Sequence, residues 1–485
     1  MKSLVFFSRL RLADLYGSIH EHLSIDYRII HLAYSSVEAE KLQNIYKIKN
    51  VIIFQDLIKS VYNDFVYNPE FNDFIDKEIV TISSGRFNLN HAIQNDRTFE
   101  ILDYHDSLLL CQLYYKFWND FIRANNVEFL FHEPPSLFLN HIASILCEKY
   151  GATYVNMNIA QGLDENNWIV YENDSANAFE VNYWMKHFEI KDEDIINAEE
   201  FITHFCKIKT NWLPQLNTSR SKSKVIFVIK HIKQFIFNSF KRPKKPSGIL
   251  DHVNNYQLSN SFKSNIYSFT NRWLILTKLK YDDFNANYNY YYYPMHLEPE
   301  AVVLYYGDGI YKDQIKLIEN IACSLPSNAY LFVKEHPHSK YVRNYSEYAK
   351  LQSIPNVKLL NPSINGRSVI EKSKGIITIN GSSGFEGLLF GKKVYAFGNI
   401  FYTYSPNCYY VKNIRDLRKI LYETLDSSFK ADEFKKFLAV YLKSIHNGFT
   451  LFYTNKPELS NINIADNGLF VAKGINKYVD LKKVP

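Results

Sequence analysis

The stretch GIITINGSSGFEGLLFGKKVYAFG (375–398) decides the fold. GIITIN is a short, β-branched apolar run, GSSG a turn signal, FEGLLF an apolar helical piece and KKVYAF a second strand. Strand, tight loop, helix and strand at this spacing form a parallel crossover unit. The same grammar continues on both sides. YYYYPM (290–295), AYLFVK (329–334) and Val357–Leu360 read as strands, and helices are expected over 312–324, 345–352, 368–372 and 413–424. Val302–Tyr306 reads as a further extended piece.

The first half repeats this pattern. Strands are expected at Leu4–Ser8, Arg28–Ser35, Asn50–Phe54, Val127–His132 and Ala152–Asn158. Helices are expected at 36–45, 106–125 and 137–150, while 57–100 reads as irregular. A chain of 485 residues exceeds one ordinary domain. The reading is therefore α/β, with two doubly wound sheets. The expected domains are 1–200, a basic insertion and linker at 201–287, a second sheet domain at 288–430, and a tail at 431–485 that crosses back to the first domain.

Composition narrows the function. With 46% hydrophobic and 22% charged residues the chain can bury a large core. A net charge of +6 is too small to imply nucleic acid. The five cysteines (Cys111, Cys147, Cys206, Cys323 and Cys408) stand singly, as reduced thiols of a cytosolic protein do. The apolar run at Met1–Ser8 is too short for a secretory signal, and no run approaches the roughly 18 apolar residues that span a bilayer. These features predict a soluble, cytoplasmic protein. Residues 201–250 contain no acid, and Val225, Ile229, Ile232 and Ile236 recur at helical spacing there. Lys230, Lys233, Lys241 and Arg242 would then face an anionic membrane surface or an anionic acceptor. The alternative is a solvated insertion that folds back on its own protein.

The chemistry-bearing residues of the second half follow strands. Lys334-Glu335-His336-Pro337 comes directly after AYLFVK, and the proline holds the residue before it extended. An imidazole at that sheet edge can neutralise a phosphate leaving group. Asn380-Gly381-Ser382-Ser383-Gly384-Phe385-Glu386 lies between strand and helix, where glycines admit close approach and helix-terminal amides bind anions. A simpler reading of the same residues is a capping box of Ser383 with Glu386. His296, Glu298 and Glu300 follow YYYYPM. The loop is neither a P-loop, lacking GK[ST], nor a nucleophile elbow.

YYYYPMHLEPE (290–300), VKEHP (333–337) and ITINGSSGFEGLLFGKKVYAFG (377–398) together resemble the capsule polysaccharide biosynthesis family. That family includes transferases of 3-deoxy-manno-octulosonic acid (Kdo). The resemblance implies the GT-B architecture of two Rossmann-like domains facing a cleft. It also implies a metal-independent glycosyltransferase that takes a nucleotide-sugar as substrate and needs no cofactor. The His-Pro and Ser-Ser pairs are similar to the nucleotide-binding pairs of bacterial sialyltransferases, which use a CMP-sugar. By that similarity His336, Pro337, Gly381, Ser382 and Ser383 would hold the phosphate and Glu386 the ribose, with His296, Glu298 and Lys334 beside them.

A transferase also needs a base or nucleophile in its acceptor half. Glu133, which ends VEFLFH, is the candidate. Residues 156–174 resemble the family's stretch with an acidic pair before glycine, but Ala160-Gln161-Gly162 lacks the acid, so Asp164 or Glu165 would substitute. Asp192-Glu193-Asp194 reads as a helix start rather than a metal motif, and no metal-ligand spacing such as HExxH occurs. The leading expectation is transfer of a CMP-activated acidic keto-sugar to a glycan or lipid-linked glycan of the cell surface. A sugar-nucleotide epimerase or hydrolase of the same fold, and a non-catalytic glycan-binding or export component, are the alternatives.

Overall fold

The computed structural model describes residues 1–164, 166–173, 177–208, 248–254, 262–298, 302–336, 339, 343–450 and 464–484. Two compact units emerge. The first comprises Met1–Phe188, Pro246–Gln257 and Val440–Pro485; the second comprises Glu189–Lys245 and Leu258–Ala439. Each is a layered α/β unit built on one sheet.

In the first unit the strands are β1 (Ser3–Ser8), β2 (Arg28–Ala33), β3 (Val51–Ile53), β4 (Val127–Phe131), β5 (Thr153–Ile159) and β6 (Asn167–Glu172). In the second they are β7 (Tyr290–Pro294), β8 (Tyr330–Lys334), β9 (Val357–Leu360), β10 (Gly375–Thr378), β11 (Lys393–Ala396) and β12 (Cys408–Tyr410). A short β13 (His446–Asn447) returns to the first sheet.

The first sheet runs β13-β6-β5-β4-β1-β2-β3. Its five strands from β3 to β5 are parallel, and β6 and β13 are antiparallel additions. The second runs β12-β11-β10-β7-β8-β9 and is parallel throughout. Counted from its own first strand this is the order 6-5-4-1-2-3, that of a Rossmann fold. Helices cover both faces, so the central strands are apolar on both sides. Leu4, Val5, Phe6 and Phe7 of β1 are all fully buried, as are Tyr290 and Tyr293 of β7. Two such units in one chain are the components of the GT-B architecture.

Several segments differ from expectation. Residues 57–100 are largely helical, in Phe54–Asn63, Pro69–Ile82 and Leu89–Asn95. Asn68 and Asn88 cap the latter two through their side chains, and Pro69 occupies the first helical turn. Val302–Tyr306 is a single π-helical turn, not an extended piece. A short apolar run cannot be assigned to strand or helix by periodicity alone. Residues 167–172 form an antiparallel strand closing a hairpin with β5. The helix Asp192–Lys207 lies in the second unit. At its start Asp194 accepts the Lys191 N–H, an ordinary capping contact.

The tail is structural to the first unit. Val471, Ala472, Ile475, Tyr478 and Val479 of the helix Ile464–Lys483 pack into one core with Leu4, Phe6, Phe129, Phe131 and Trp168. Tyr478 donates to the buried Glu172, and Lys482 pairs with the same carboxylate at 3.0 Å. Among the described residues no helix is long and apolar enough to cross a membrane.

Candidate functional site

In a doubly wound sheet, ligands bind beyond the carboxyl ends of the strands, where the strand order reverses. In the second unit that point lies between β7 and β10. His296 sits two residues past β7, and the loop from Asn380 begins two residues past β10.

Gln314, fully buried at the start of the helix Gln314–Ser324, fixes the His296 backbone from both sides. Its Oε1 accepts the His296 N–H at 2.8 Å and its Nε2 donates to the His296 carbonyl at 3.1 Å. The ring meets β10. Ile379 N–H donates to His296 Nε2 at 3.2 Å, and Thr378 Oγ1 lies 3.2 Å from the same nitrogen. Gly381 N–H in turn donates to Thr378 Oγ1 at 3.2 Å. A backbone N–H can only donate, so Nε2 carries no proton and the neutral ring is protonated on Nδ1. Burial is the main force holding the ring neutral. Together with the nearby charges of His336 and Arg343 it pushes the pKa down to about 3. A Cβ on Gly381 would stand 2.8 Å from His296 Cε1, so only glycine lets the loop lie on this imidazole.

The helix Ser382–Leu389 starts directly after Gly381, which is its N-cap. The expected tight loop Gly381–Gly384 is therefore already the first helical turn. Ser383 and Glu386 consequently form no capping box. Ser382 and Ser383 are half-buried, and their backbone N–H groups have no acceptor among the described residues. Glu386 is turned to Arg367, with 3.8 Å between Oε2 and Nε. The Arg367 guanidinium stacks on the Phe205 ring at 4.0 Å and donates to the Phe205 carbonyl at 2.7 Å.

The end of β8 is held by charge. Arg343 Nε donates to Glu335 Oε2 at 2.8 Å, and its Nη2 lies 2.9 Å from Glu298 Oε1. Tyr348 O–H donates to Glu335 Oε2 at 3.0 Å, and His336 N–H to Glu335 Oε1 at 3.0 Å. Glu298 also accepts from Gln314. Glu298 and Glu335 thus orient Arg343, and through the backbone they place His336. Burial pushes the Glu335 pKa up against the pull of Arg343. Lys334 is buried, with Nζ 3.4 Å from the Pro362 carbonyl. Burial pulls its pKa down to about 8, against the opposing charges of Glu335 and Glu386.

The structure therefore brings His296, Lys334, His336, Gly381, Ser382 and Ser383 to one edge of one sheet. Pro337, Glu300, Glu165, Lys230, Lys233, Lys241 and Arg242 lie outside the described residues. Sequence reasoning missed Gln314, Thr378 and Arg343. Thr378 did carry a signal, as the lone hydroxyl in an otherwise apolar strand; Arg343 carried none.

In the first unit the equivalent reversal lies between β1 and β4. Arg9 and Glu133 meet there as an ion pair, with side chains 12% and 17% exposed. Tyr154 O–H donates to the Glu133 carbonyl at 2.6 Å. His132 Nδ1 donates to the Phe7 carbonyl at 2.7 Å, and burial pushes the pKa of this ring down to about 4. Asp164 is exposed and accepts from Asn166 N–H at 3.0 Å and from Asn167, the work of a hairpin turn. No group of three or more potential metal ligands occurs among the described residues.

Fold and site define the class: two Rossmann-type α/β units in one chain, with a cluster of polar groups beyond the strand ends at a strand-order switch. Residues 197–405 match the family model described as capsule polysaccharide biosynthesis protein. The three motifs read from the sequence fall within that span. No curated protein matches the sequence. Among solved structures the chain is similar to two from Thermosulfurimonas dismutans KpsC. The beta Kdo 2,4 transferase is 13% identical, with 66% of this chain and 81% of that one covered and a TM-score of 0.35. The beta Kdo 2,7 transferase is 11% identical, with 76% and 89% covered and a TM-score of 0.37. A UDP-GlcNAc 2-epimerase from Neisseria meningitidis is 10% identical, with 99% and 100% covered and a TM-score of 0.27.

Proposed function

We propose that this protein is a glycosyltransferase of surface or capsular polysaccharide biosynthesis, moving a sugar from a nucleotide-sugar to a glycan acceptor. The donor we assign is a CMP-linked acidic keto-sugar, and the acceptor a glycan or lipid-linked glycan. The observation carrying this reading is the cluster of polar groups at the β7/β10 switch. A neutral imidazole, two unblocked helix-terminal amides and two serine hydroxyls stand together there at a sheet edge. Such a set favours a phosphate without a metal ion. As the donor bond breaks, the charge on the departing phosphate would be met by the Ser382 and Ser383 N–H groups and by His336.

Glu133 would act on the acceptor, as base or as nucleophile. The basic stretch containing Lys230, Lys233, Lys241 and Arg242 would hold an anionic lipid surface or acceptor. The protein is read as cytoplasmic, working at the inner face of the membrane and using no cofactor.

The test is a thermal-shift panel of CMP, UDP, GDP and dTDP, since a ligand of the native state raises its melting point. CMP is expected to give the largest shift, and Ser383→Ala and His336→Ala to reduce it. No shift with any of the four would remove the nucleotide site, and with it the proposal. Incubation with donor alone then separates transfer from hydrolysis or epimerisation.

A further inference from the structure

We propose that Thr378 is a positioning residue that locks His296 as its Nδ1–H tautomer, making this imidazole an obligate hydrogen-bond donor to an anionic oxygen of the bound nucleotide-sugar. The inference rests on the nucleotide-site reading only for the identity of that ligand.

The hydrogen-bond chain has one consistent direction. Gly381 N–H occupies an acceptor lobe of Thr378 Oγ1 at 3.2 Å, and that oxygen lies 3.2 Å from His296 Nε2. With Nε2 accepting the Ile379 N–H at 3.2 Å, a bond between Thr378 and that nitrogen has the hydroxyl as its donor. A proton on Nε2 would face two donors at once. The ring proton therefore stays on Nδ1. Among the described residues no group accepts from Nδ1, although His296 is only 7% exposed. Nδ1 lies on the Gly381 side of the ring, 3.4 Å from where a Cβ would stand.

Two consequences follow. His296 offers no lone pair to a ligand, so it cannot be a general base or a metal ligand in this arrangement. What it offers is one N–H, beside the open amides of Ser382 and Ser383 and under the positive charge of Arg343 and, when protonated, His336. An anionic oxygen is the complement of that set. On the donor such an oxygen belongs either to the nucleotide phosphate or to the sugar carboxylate.

The experiment uses the full chain with ring-15N-labelled histidine, compared among wild type, Thr378→Val and Thr378→Ser. Melting curves confirm that each variant is folded, and loss of signals in His296→Gln assigns the ring. Wild-type His296 is expected to show a protonated Nδ1 and an unprotonated Nε2. Thr378→Val leaves the Ile379 N–H as the one donor on Nε2, so the Nε2–H form should become detectable beside the Nδ1–H form and CMP binding should weaken by up to about tenfold; Thr378→Ser should restore both. Equal weakening of CMP and CMP-Kdo identifies the phosphate as acceptor, and weakening of CMP-Kdo alone identifies the carboxylate. Unchanged affinity for both ligands in Thr378→Val, or a loss of affinity with the tautomer unmoved, overturns the proposal. If the wild type binds neither probe, the functional reading falls, and the ring spectra alone decide the role of Thr378.

Discussion

Arg9, one residue beyond β1, and Glu133, two beyond β4, close an ion pair at the strand-order switch of the first sheet. The pair occupies in the first unit the topological position that His296 and Thr378 occupy in the second. A carboxylate held there by a guanidinium is oriented but not removed from reach, since Glu133 keeps 17% of its side-chain surface.

That arrangement separates two roles for Glu133. As base or nucleophile, its replacement in Glu133→Gln should lower kcat about a hundredfold or more with little change in melting point. Arg9→Gln should cost less activity, because the carboxylate remains. Matched losses of stability in both variants, with turnover per folded molecule intact, would mark the pair as structural only.

Gly381→Ala tests the contact between loop and ring. The backbone at Gly381 is extended, with φ −71°, so alanine meets no backbone strain. Its Cβ would instead press on His296 Cε1 at 2.8 Å and on Thr378 Oγ1 at 3.2 Å. We expect about tenfold weaker nucleotide binding, read by calorimetry, with secondary structure unchanged by circular dichroism. Wild-type affinity in this variant would show that the loop moves away at no cost.

The buried histidines set a pH dependence. His296 is depressed to about 3, His31 to about 3 and His132 to about 4, each mainly by burial. A depressed folded pKa gives stability that is complete above the unfolded value near 6.5 and declines as pH falls towards the folded value. Each histidine adds a slope of about 1.4 kcal/mol per pH unit within that window. Urea midpoints at pH 7, 6 and 5 should therefore fall, and His296→Asn should flatten the decline by about one proton in the second unit. An identical slope in that variant would mean that His296 is not buried as a neutral ring.

Arg343 is the keystone of the β8 end. Arg343→Met leaves Glu335, 1% exposed, without its cation, and an uncompensated buried charge costs about 3–5 kcal/mol. Denaturant unfolding should show that loss. It should be partly recovered in the double variant with Glu335→Gln, which removes the stranded charge. Additive losses in the double variant would exclude the coupling.

The C-terminal helix can be tested apart from the proposed nucleotide site. A Cβ on Gly474 would collide with the Trp168 ring, and one on Gly468 with the Ser18 carbonyl oxygen. Either alanine variant should destabilise the first unit by about 1–3 kcal/mol through overpacking while leaving the CMP-induced shift of the second intact.

The sequence by itself determined the element grammar. Most strands and their following helices could be read from periodicity, because parallel strands covered on both faces are written as continuous apolar runs such as SLVFFS and YLFVK. It also marked the sheet edge, because the polar residues that break those runs fall where the strands end. Tertiary structure alone decided which of those residues act together. Gln314 and Arg343 are 18 and 45 positions from their partners at 296 and 298, and no local spacing announces them. The state of His296 was equally invisible. A histidine after a strand could be base, acid or ligand, and only the approach of the Ile379 amide and the Thr378 hydroxyl, brought over by the crossover from β9 that sets β10 beside β7, leaves it as a donor. Glu386 was legible as a carboxylate near the loop, yet it faces Arg367 because helix geometry, set by where Gly381 starts the first turn, aims it there.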